Sequence, residues 1–471
     1  MNGAVAAMII APCAGGALSV LARPRWRPWV GVAVALTVAA GVIAAITELV
    51  ARGEAVTLGL GSWPAPLAIR LRLDGLSAVM LAMQAGVGAL VSVCAGAYLR
   101  ARLSAFWPLW LLAWAGQNGL YLTSDLFTAY VTLELIGVTA VGLVALAGGP
   151  AVAAAIRYLL VTLFGSLLYL AGAALLYAES GAVDFAAAAA ASGSPAAQVA
   201  FAVMAAGLLL KTAAFPLHFW LPPAHANAVA PASAILSALV VKGSFYLLVR
   251  LWHQVFVPDA AVLGAVIGGL GVGAVLWGSA QALRQERLKM LIAYSTVAQL
   301  GYMLMAFALG GAAWRGAIIF GLSHACAKAS MFLAAGRMAR ALGHNDVARL
   351  SGAASALPVT VFSFALAGVA LIGLPPSGGF VGKWLLLEQG ILDGHWGYVA
   401  AIAAGTILAV AYVFRVVNLS LAEAPNEAAG PREFTVEGTT LALALAALAF
   451  GAIAAPTLAL LEIGAPFGGR P

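Results

Sequence analysis

Long apolar runs follow one another from end to end of this chain, and the polar positions fall mostly between them. Fourteen runs are legible, near 4–22, 28–50, 75–98, 104–122, 124–147, 153–177, 199–220, 231–252, 260–280, 289–311, 313–340, 355–386, 396–417 and 437–461. Each has about the length, roughly 20 residues, that a helix needs to cross a bilayer. The runs are continuously apolar rather than alternating, so they predict helices and not the strands of a membrane barrel. Two of them are interrupted. Leu221-Pro222-Pro223 ends the seventh, and Leu374-Pro375-Pro376-Ser377-Gly378-Gly379 cuts the twelfth. Proline removes a backbone donor and kinks a helix. Unwound backbone is tolerated at membrane depth only inside protein or along a wet cavity. Runs seven and twelve lie five crossings apart, so they point in opposite directions. Paired broken helices in inverted halves indicate a transport site. The pattern therefore predicts an all-α polytopic membrane protein of about 14 transmembrane helices, with two inverted five-helix repeats and broken seventh and twelfth helices.

No linker divides the chain. The longest polar stretch runs from about Glu423 to Glu437, so 1–471 is expected to be a single membrane domain. Its parts are N-terminal helices in 1–103, a first repeat in 104–252, a second in 260–417, and a C-terminal helix and tail in 437–471. Composition agrees: 63% of the 471 residues are hydrophobic and only 9% are charged, against about 25% charged in a soluble domain. That excludes a soluble globular reading. Cys13, Cys94 and Cys326 are isolated, which excludes a disulfide framework, a haem motif and an Fe–S cluster. The glycines around Gly268, Gly269, Gly271 and Gly273 sit inside an apolar run and predict close helix packing, not a nucleotide loop. No cofactor, metal or nucleic-acid partner is expected.

Charge asymmetry sets an orientation. With fourteen spans, the odd-numbered connections hold Arg23, Arg25, Arg27, Arg100, Arg102, Arg284, Arg287, Lys289, Arg337, Arg340, Arg349, Arg415 and Arg432. The even-numbered ones hold Arg52, Arg70, Arg72, Arg250 and Arg315. The excess predicts odd connections in the cytoplasm and both termini outside. The first apolar run has no basic residue before it, so it is expected to be a span and not a cleaved signal. The expected location is the inner (plasma) membrane of a cell, crossed many times.

Lysine is distributed differently from arginine. Of 24 basic residues only five are lysines, and four of these, Lys211, Lys242, Lys328 and Lys383, fall inside apolar runs. An ionised residue at the bilayer centre costs about 2.5–3.5 kcal/mol on insertion scales. A lysine near a span end can snorkel to the headgroups, which is the structural alternative. Arginine stays protonated, whereas a desolvated lysine exchanges its proton. Lysine in the membrane and arginine in the loops is the division that a proton relay requires. One acid joins them: Glu134, in Tyr130-Val131-Thr132-Leu133-Glu134-Leu135-Ile136-Gly137. It would either hold a lysine protonated or form a static pair that fixes packing. The tenth span, its counterpart, offers Gln299 instead. His324 and Lys328 are four apart and share a helix face. His218 follows Lys211 by seven, again on roughly one face if the helix continues.

Several blocks resemble the proton-conducting antiporter-like family. That family includes the large membrane subunits of complex I, the A and D subunits of Mrp antiporters, and membrane subunits of hydrogenases. Leu133-Glu134-Leu135 is similar to its fifth-helix glutamate, and Lys211-Thr212-Ala213-Ala214-Phe215-Pro216-Leu217-His218-Phe219-Trp220-Leu221-Pro222 to its seventh-helix lysine block. The run from Arg287 to Tyr302, His324-Ala325-Cys326-Ala327-Lys328, and Gly373 to Trp384 complete the match, which spans nearly the whole chain. The resemblance implies a coupling pair of Glu134 and Lys211, a central relay lysine at Lys242, and a path through His324 and Lys328 to Lys383. His218 would be a further relay candidate. It also implies partners: other membrane subunits, protons, the lipid bilayer and, for an antiporter, Na+. Many members carry a histidine before the eighth-helix lysine, where this chain has Ile235-Leu236-Ser237-Ala238-Leu239-Val240-Val241-Lys242. The expected function is proton translocation within a complex I-like NADH/quinone oxidoreductase. A subunit of an Mrp-type Na+/H+ antiporter and a non-pumping hydrogenase scaffold are the alternatives. Redox energy would come from partners, since this chain carries no recognisable redox centre.

Overall fold

The computed structural model describes residues 2–60, 69–99, 103, 105–256, 261–423 and 432–464. Arg100 and Arg102 of the charge tally, and most of the polar stretch after Glu423, lie outside the described residues. The chain opens with α1 (Asn2–Leu21) and α2 (Arg27–Arg52), then an antiparallel hairpin of β1 (Val56–Leu60) and β2 (Ile69–Leu73). Next come α3 (Gly75–Tyr98), α4 (Phe106–Leu122), α5 (Leu126–Ala145) and α6 (Pro150–Ser180). A short α7 (Phe185–Ala188) leads to α8 (Pro195–Thr212), α9 (Leu221–Asn227) and α10 (Ala230–Ile235). A π-helical turn, Leu236–Val240, joins α10 to α11 (Val241–Gln254) without a break. The second half holds α12 (Ala261–Arg284), α13 (Leu288–Leu309), α14 (Ala313–Leu342), α15 (Ala353–Ala356), α16 (Pro358–Ile372), α17 (Gly378–Leu392) and α18 (Trp396–Leu421). The chain closes with α19 (Phe434–Ala452) and α20 (Ala454–Leu461).

Side-chain caps mark a few of these boundaries. Asp74 accepts from Ser77 N at the start of α3, Asp125 from Thr128 N at α5, Ser194 from Ala197 N at α8, and Ser377 from Phe380 N at α17. Such caps satisfy backbone donors that a helix start leaves free. Among the described residues, twelve helical stretches are long and apolar enough to span a membrane. α4, with 17 residues, and α16 and α17, with 15 each, are shorter. Burial ranks them. The spans Ala230–Gln254 and Ala313–Leu342 are fully buried by protein over their apolar windows, whereas Gly3–Leu21 is only 33% buried. The centre is thus protein-lined and the flanks face lipid.

Close crossings hold the centre together. A methyl placed on Gly271 of α12 would stand 2.6 Å from Gly301 O of α13, and one on Gly382 of α17 would stand 2.7 Å from Gly316 O of α14. Only glycine permits such approach, and packing of this kind replaces the hydrophobic drive that lipid removes. Within the glycine run at 268–273, Gly268, Gly271 and Gly273 are closely packed in this way or against side chains, whereas Gly269 faces open space. Connections also tie to one another. Ser124 N donates to Arg70 O, Leu126 N to Val183 O, and Gly75 N to Ile463 O. On the other parity, Val347 N donates to Glu286 O and Gly352 N to Ala422 O.

Several expectations are revised. The seventh run does not end at Leu221-Pro222-Pro223: α8 stops at Thr212, Ala213 turns left-handed with φ 59°, and the two prolines open α9. Proline suits a first helical turn because its missing N–H is unpaired there anyway. The run 355–386 resolves into α16 and α17, and 437–461 into α19 and α20. The apolar pattern does not announce the hairpin. Arg250 and Arg337, counted as loop charges, are buried. Arg250 pairs with Asp74 at 2.5 Å, and Arg337 with Glu437 at 3.6 Å. Burial works against the Asp74 charge, but Arg250 beside it more than offsets this and holds the carboxyl below the usual carboxylate range. Lys289, also counted as a loop charge, is buried and donates to Ala228 O at 2.6 Å.

Candidate functional site

Four clusters of polar side chains run through the protein-lined centre. The first lies where α5, α6 and α8 meet. Gly207 of α8 packs against Gly165 of α6, where an added methyl on Gly165 would stand 2.9 Å from Gly207 O and 3.2 Å from Lys211 Cγ. That approach brings Lys211 against both neighbours. Its ammonium donates to Thr162 Oγ1 at 2.8 Å and lies 3.5 Å from Glu134 Oε1. Ser166 Oγ donates to the same Glu134 oxygen. Lys211 is buried, while the Glu134 side chain keeps 24% of its exposure. Glu134 shares its helix face with the exposed Phe127, Val131 and Val138. A cavity of about 20 Å³ for water centres adjoins Lys211 and is bounded by Gly137, Tyr158, Thr162, Val240 and Ser244. That is room for about one water, which needs roughly 10–15 Å³ on this measure.

The second cluster is one helix further in. Thr212 Oγ1 donates to Ser244 Oγ at 2.9 Å, linking the end of α8 to α11. Lys242, fully buried, donates to Ser237 O at 2.7 Å. The π-helical turn ahead of it shifts the carbonyl ladder by one residue, and π turns gather at functional sites. Lys242 Nζ also meets His324 Nδ1 at 2.7 Å. An ammonium donates to a bare ring nitrogen, and an amine accepts from a protonated one, so the contact serves either direction of proton movement.

His324 leads to the third cluster. One turn on, Lys328 donates to Ser295 Oγ, and to Ile292 O at 3.1 Å, both on α13. His324 also stacks on Phe320, whose ring centroid is 6.1 Å away. The fourth cluster surrounds Lys383. Its ammonium donates to Leu371 O at 3.2 Å, Ile372 O at 3.0 Å and Thr406 Oγ1 at 3.2 Å. It lies over the Tyr302 ring at 4.3 Å and 5.9 Å from the Phe320 centroid.

The structure thus places Glu134 with Lys211, and Lys242 with His324. His324 and Lys328 do share one face of α14. His218 is different. It follows the end of α8, so it shares no helix face with Lys211, and it stacks on Phe215 at 5.7 Å with Tyr294 edge-on at 6.2 Å. Gln299 hydrogen-bonds Tyr412 at 2.9 Å. Other groups emerge only in the fold. His225 in α9 is fully buried against Phe332 at 5.0 Å, within electrostatic reach of Lys328, Lys289 and Lys242. Thr162, Ser166, Ser295 and Thr406 supply the oxygens. The one sequence signal for them is a hydroxyl inside an apolar helix, which most often bonds its own backbone.

Comparisons with known proteins agree on a family. A profile described as NADH:quinone oxidoreductase/Mrp antiporter, TM matches residues 123–409. The N subunit of NADH-quinone oxidoreductase from Desulforudis audaxviator is 36% identical over 411 residues, covering 84% of this chain and 81% of that one. The D subunit of the Na+/H+ antiporter from Alkalihalophilus pseudofirmus is 28% identical over 354 residues, covering 74% and 72%. Among solved structures, a chain of the Mrp complex from Dietzia sp. superposes with a TM-score of 0.91 at 25% identity, covering 99% of this chain and 98% of that one. A polytopic helical chain with these buried lysine contacts and these relatives belongs to the NADH:quinone oxidoreductase/Mrp antiporter transmembrane family.

Proposed function

We propose that this chain moves protons across the membrane as a subunit of a complex I-like NADH/quinone oxidoreductase or a related membrane complex. The proton path runs through Glu134, Lys211, Lys242, His324, Lys328 and Lys383. The observation that carries the reading is the Lys242–His324 contact at 2.7 Å, inside helices wholly enclosed by protein. Two protonatable groups that share a hydrogen bond at the centre of a membrane protein are costly unless they work. Ser244, beside the water-sized cavity at Lys211, shares α11 with Lys242, and Lys328 shares α14 with His324, which supports a path through this contact. His218 makes no hydrogen bond to these groups among the described residues and is at most a side branch. The partly exposed flank of Glu134 favours a neighbouring membrane subunit, because a carboxylate facing hydrocarbon needs cover. The arginine excess supports cytoplasmic odd-numbered connections and outside termini, and the NADH-quinone oxidoreductase and antiporter relatives support a place in the inner membrane. A subunit of a cation/proton antiporter is the second reading, favoured by the close superposition on the Mrp chain.

The test is Lys211→Ala beside Lys211→Arg in the reconstituted complex, read with a pH-sensitive dye while the partner reaction is followed. Both variants are expected to assemble and to lose proton transfer, since arginine keeps the charge but does not release the proton. Normal pumping by the arginine variant would reduce Lys211 to an electrostatic anchor.

A further inference from the structure

The two prolines of the second break have a consequence for the carbonyls behind them. In an unbroken helix Leu371 O and Ile372 O would accept from the N–H groups four residues on. Those residues are Pro375 and Pro376, which have none. Gly373 turns left-handed at φ 84°, and both Gly373 N and Leu374 N go to Val369 O. Two carbonyls at the end of α16 are thus left facing inward, and the helix dipole adds partial negative charge there. Thr406 donates to Ile402 O at 2.9 Å, which aims its free lone pair the other way. These three oxygens and the Tyr302 ring surround the Lys383 ammonium. Among the described residues, no carboxylate lies within ion-pair distance of it. Its charge is met by dipoles and a π face alone.

We propose that Leu371 O, Ile372 O, Thr406 Oγ1 and the Tyr302 ring form a seat for a monovalent cation, and that the ammonium of Lys383 is its tethered occupant. The donor set decides the class. Neutral carbonyl and hydroxyl oxygens suit hard ions, and carbonyl ends of half-helices coordinate Na+ in membrane transporters. Divalent ions want carboxylates and more ligands. The aromatic face adds attraction for any compact cation, ammonium included. A small cation therefore competes with the lysine head for this seat and enters when the head is removed. The inference stands on the geometry around Lys383 and is read by binding, so its failure would leave the proton-transfer reading untouched.

The experiment uses the full chain in lipid nanodiscs. Thermal midpoints of Lys383→Ala are measured in NaCl, KCl and methylammonium chloride, each against choline chloride at equal ionic strength. The seat predicts a saturable midpoint rise of roughly 2–4 °C in at least one of the three salts, absent from the wild type. Adding Thr406→Val should shift that response at least about tenfold to higher concentration, the equivalent of one lost oxygen ligand at roughly 1.4 kcal/mol. A folded Lys383→Ala with no response overturns the proposal, and so does a response that Thr406→Val leaves unchanged. If Lys383→Ala does not fold in choline, the folded yield is compared with each cation present during purification. Recovery by a small cation then supports the seat, and no recovery rejects it.

Discussion

Glu134 is the residue whose charge is most directly tied to Lys211, and replacing it separates coupling from packing. At 3.5 Å and an effective dielectric near 20, suited to a partly exposed pair, the attraction is about 5 kcal/mol. Glu134→Gln keeps the shape and removes that term. A positive charge arriving at Lys211 then stands about 5 kcal/mol higher, which slows passage by a factor of a few thousand if this station limits the rate. Glu134→Asp keeps the charge but is one methylene shorter, so the separation grows to about 5 Å and the attraction falls to about 3 kcal/mol. The aspartate variant should therefore retain roughly a tenth of the rate, and the glutamine variant less than about a hundredth. Ser166→Ala removes the hydroxyl that donates to Glu134 and should cost less than either. The assay is dye-reported proton movement in liposomes carrying the reconstituted complex, with the partner reaction recorded beside it. Equal rates for the glutamine and aspartate variants would refute the electrostatic reasoning and leave Glu134 a packing residue.

Gly137→Ala places a methyl 2.8 Å from Thr162 Oγ1 and 3.7 Å from Lys211 Nζ. It fills the water-sized cavity and should cut proton transfer about a hundredfold by misplacing the lysine, with complex assembly intact; unimpaired transfer would show that no water is needed there. Asp74→Asn breaks the buried pair with Arg250 and should destabilise the chain by about 3–5 kcal/mol, seen as a lower thermal midpoint in nanodiscs. Because the folded Asp74 carboxyl is held below its ordinary value, its contribution is full above about pH 4 and disappears as the pH falls through the folded value. The wild type should lose stability in acid as this carboxyl protonates, and the asparagine variant should not. Single cysteines at Arg284 and Arg315, in a chain freed of Cys13, Cys94 and Cys326, should label from opposite faces, with Arg284 cytoplasmic; labelling from one face would overturn the fourteen-span map, and Arg284 labelling from outside would overturn the orientation.

Much of this architecture is legible residue by residue. A bilayer imposes its demand on each segment separately, so an apolar run of the right length declares itself without reference to its neighbours. α3 falls where its run does, at Gly75–Tyr98. The segregation of Lys211, Lys242, Lys328 and Lys383 from the loop arginines, and the i, i+4 spacing of His324 and Lys328, are local facts as well. The breaks are harder. A proline pair ends one helix or begins the next with equal ease, and at Pro222-Pro223 it begins α9. Ala213, which ends α8, carries no turn signal.

What depends on which faces meet is not written in any one segment. Lys289 looks like a loop charge until α13 turns it toward Ala228 O. His218 loses its place beside Lys211 because α8 stops short, while His225, in the last turn of α9, is buried against Phe332 instead. Thr162 serves Lys211 across 49 positions of sequence, and Lys242 reaches His324 across 82. Local periodicity carries no information about such pairs. The sequence alone determined that the chain crosses the membrane many times and buries lysines there. Tertiary packing, through glycine crossings that let backbones touch, decided which hydroxyl, carbonyl or imidazole each lysine would face, because hydrogen bonds between helices form only after the helices have been brought together.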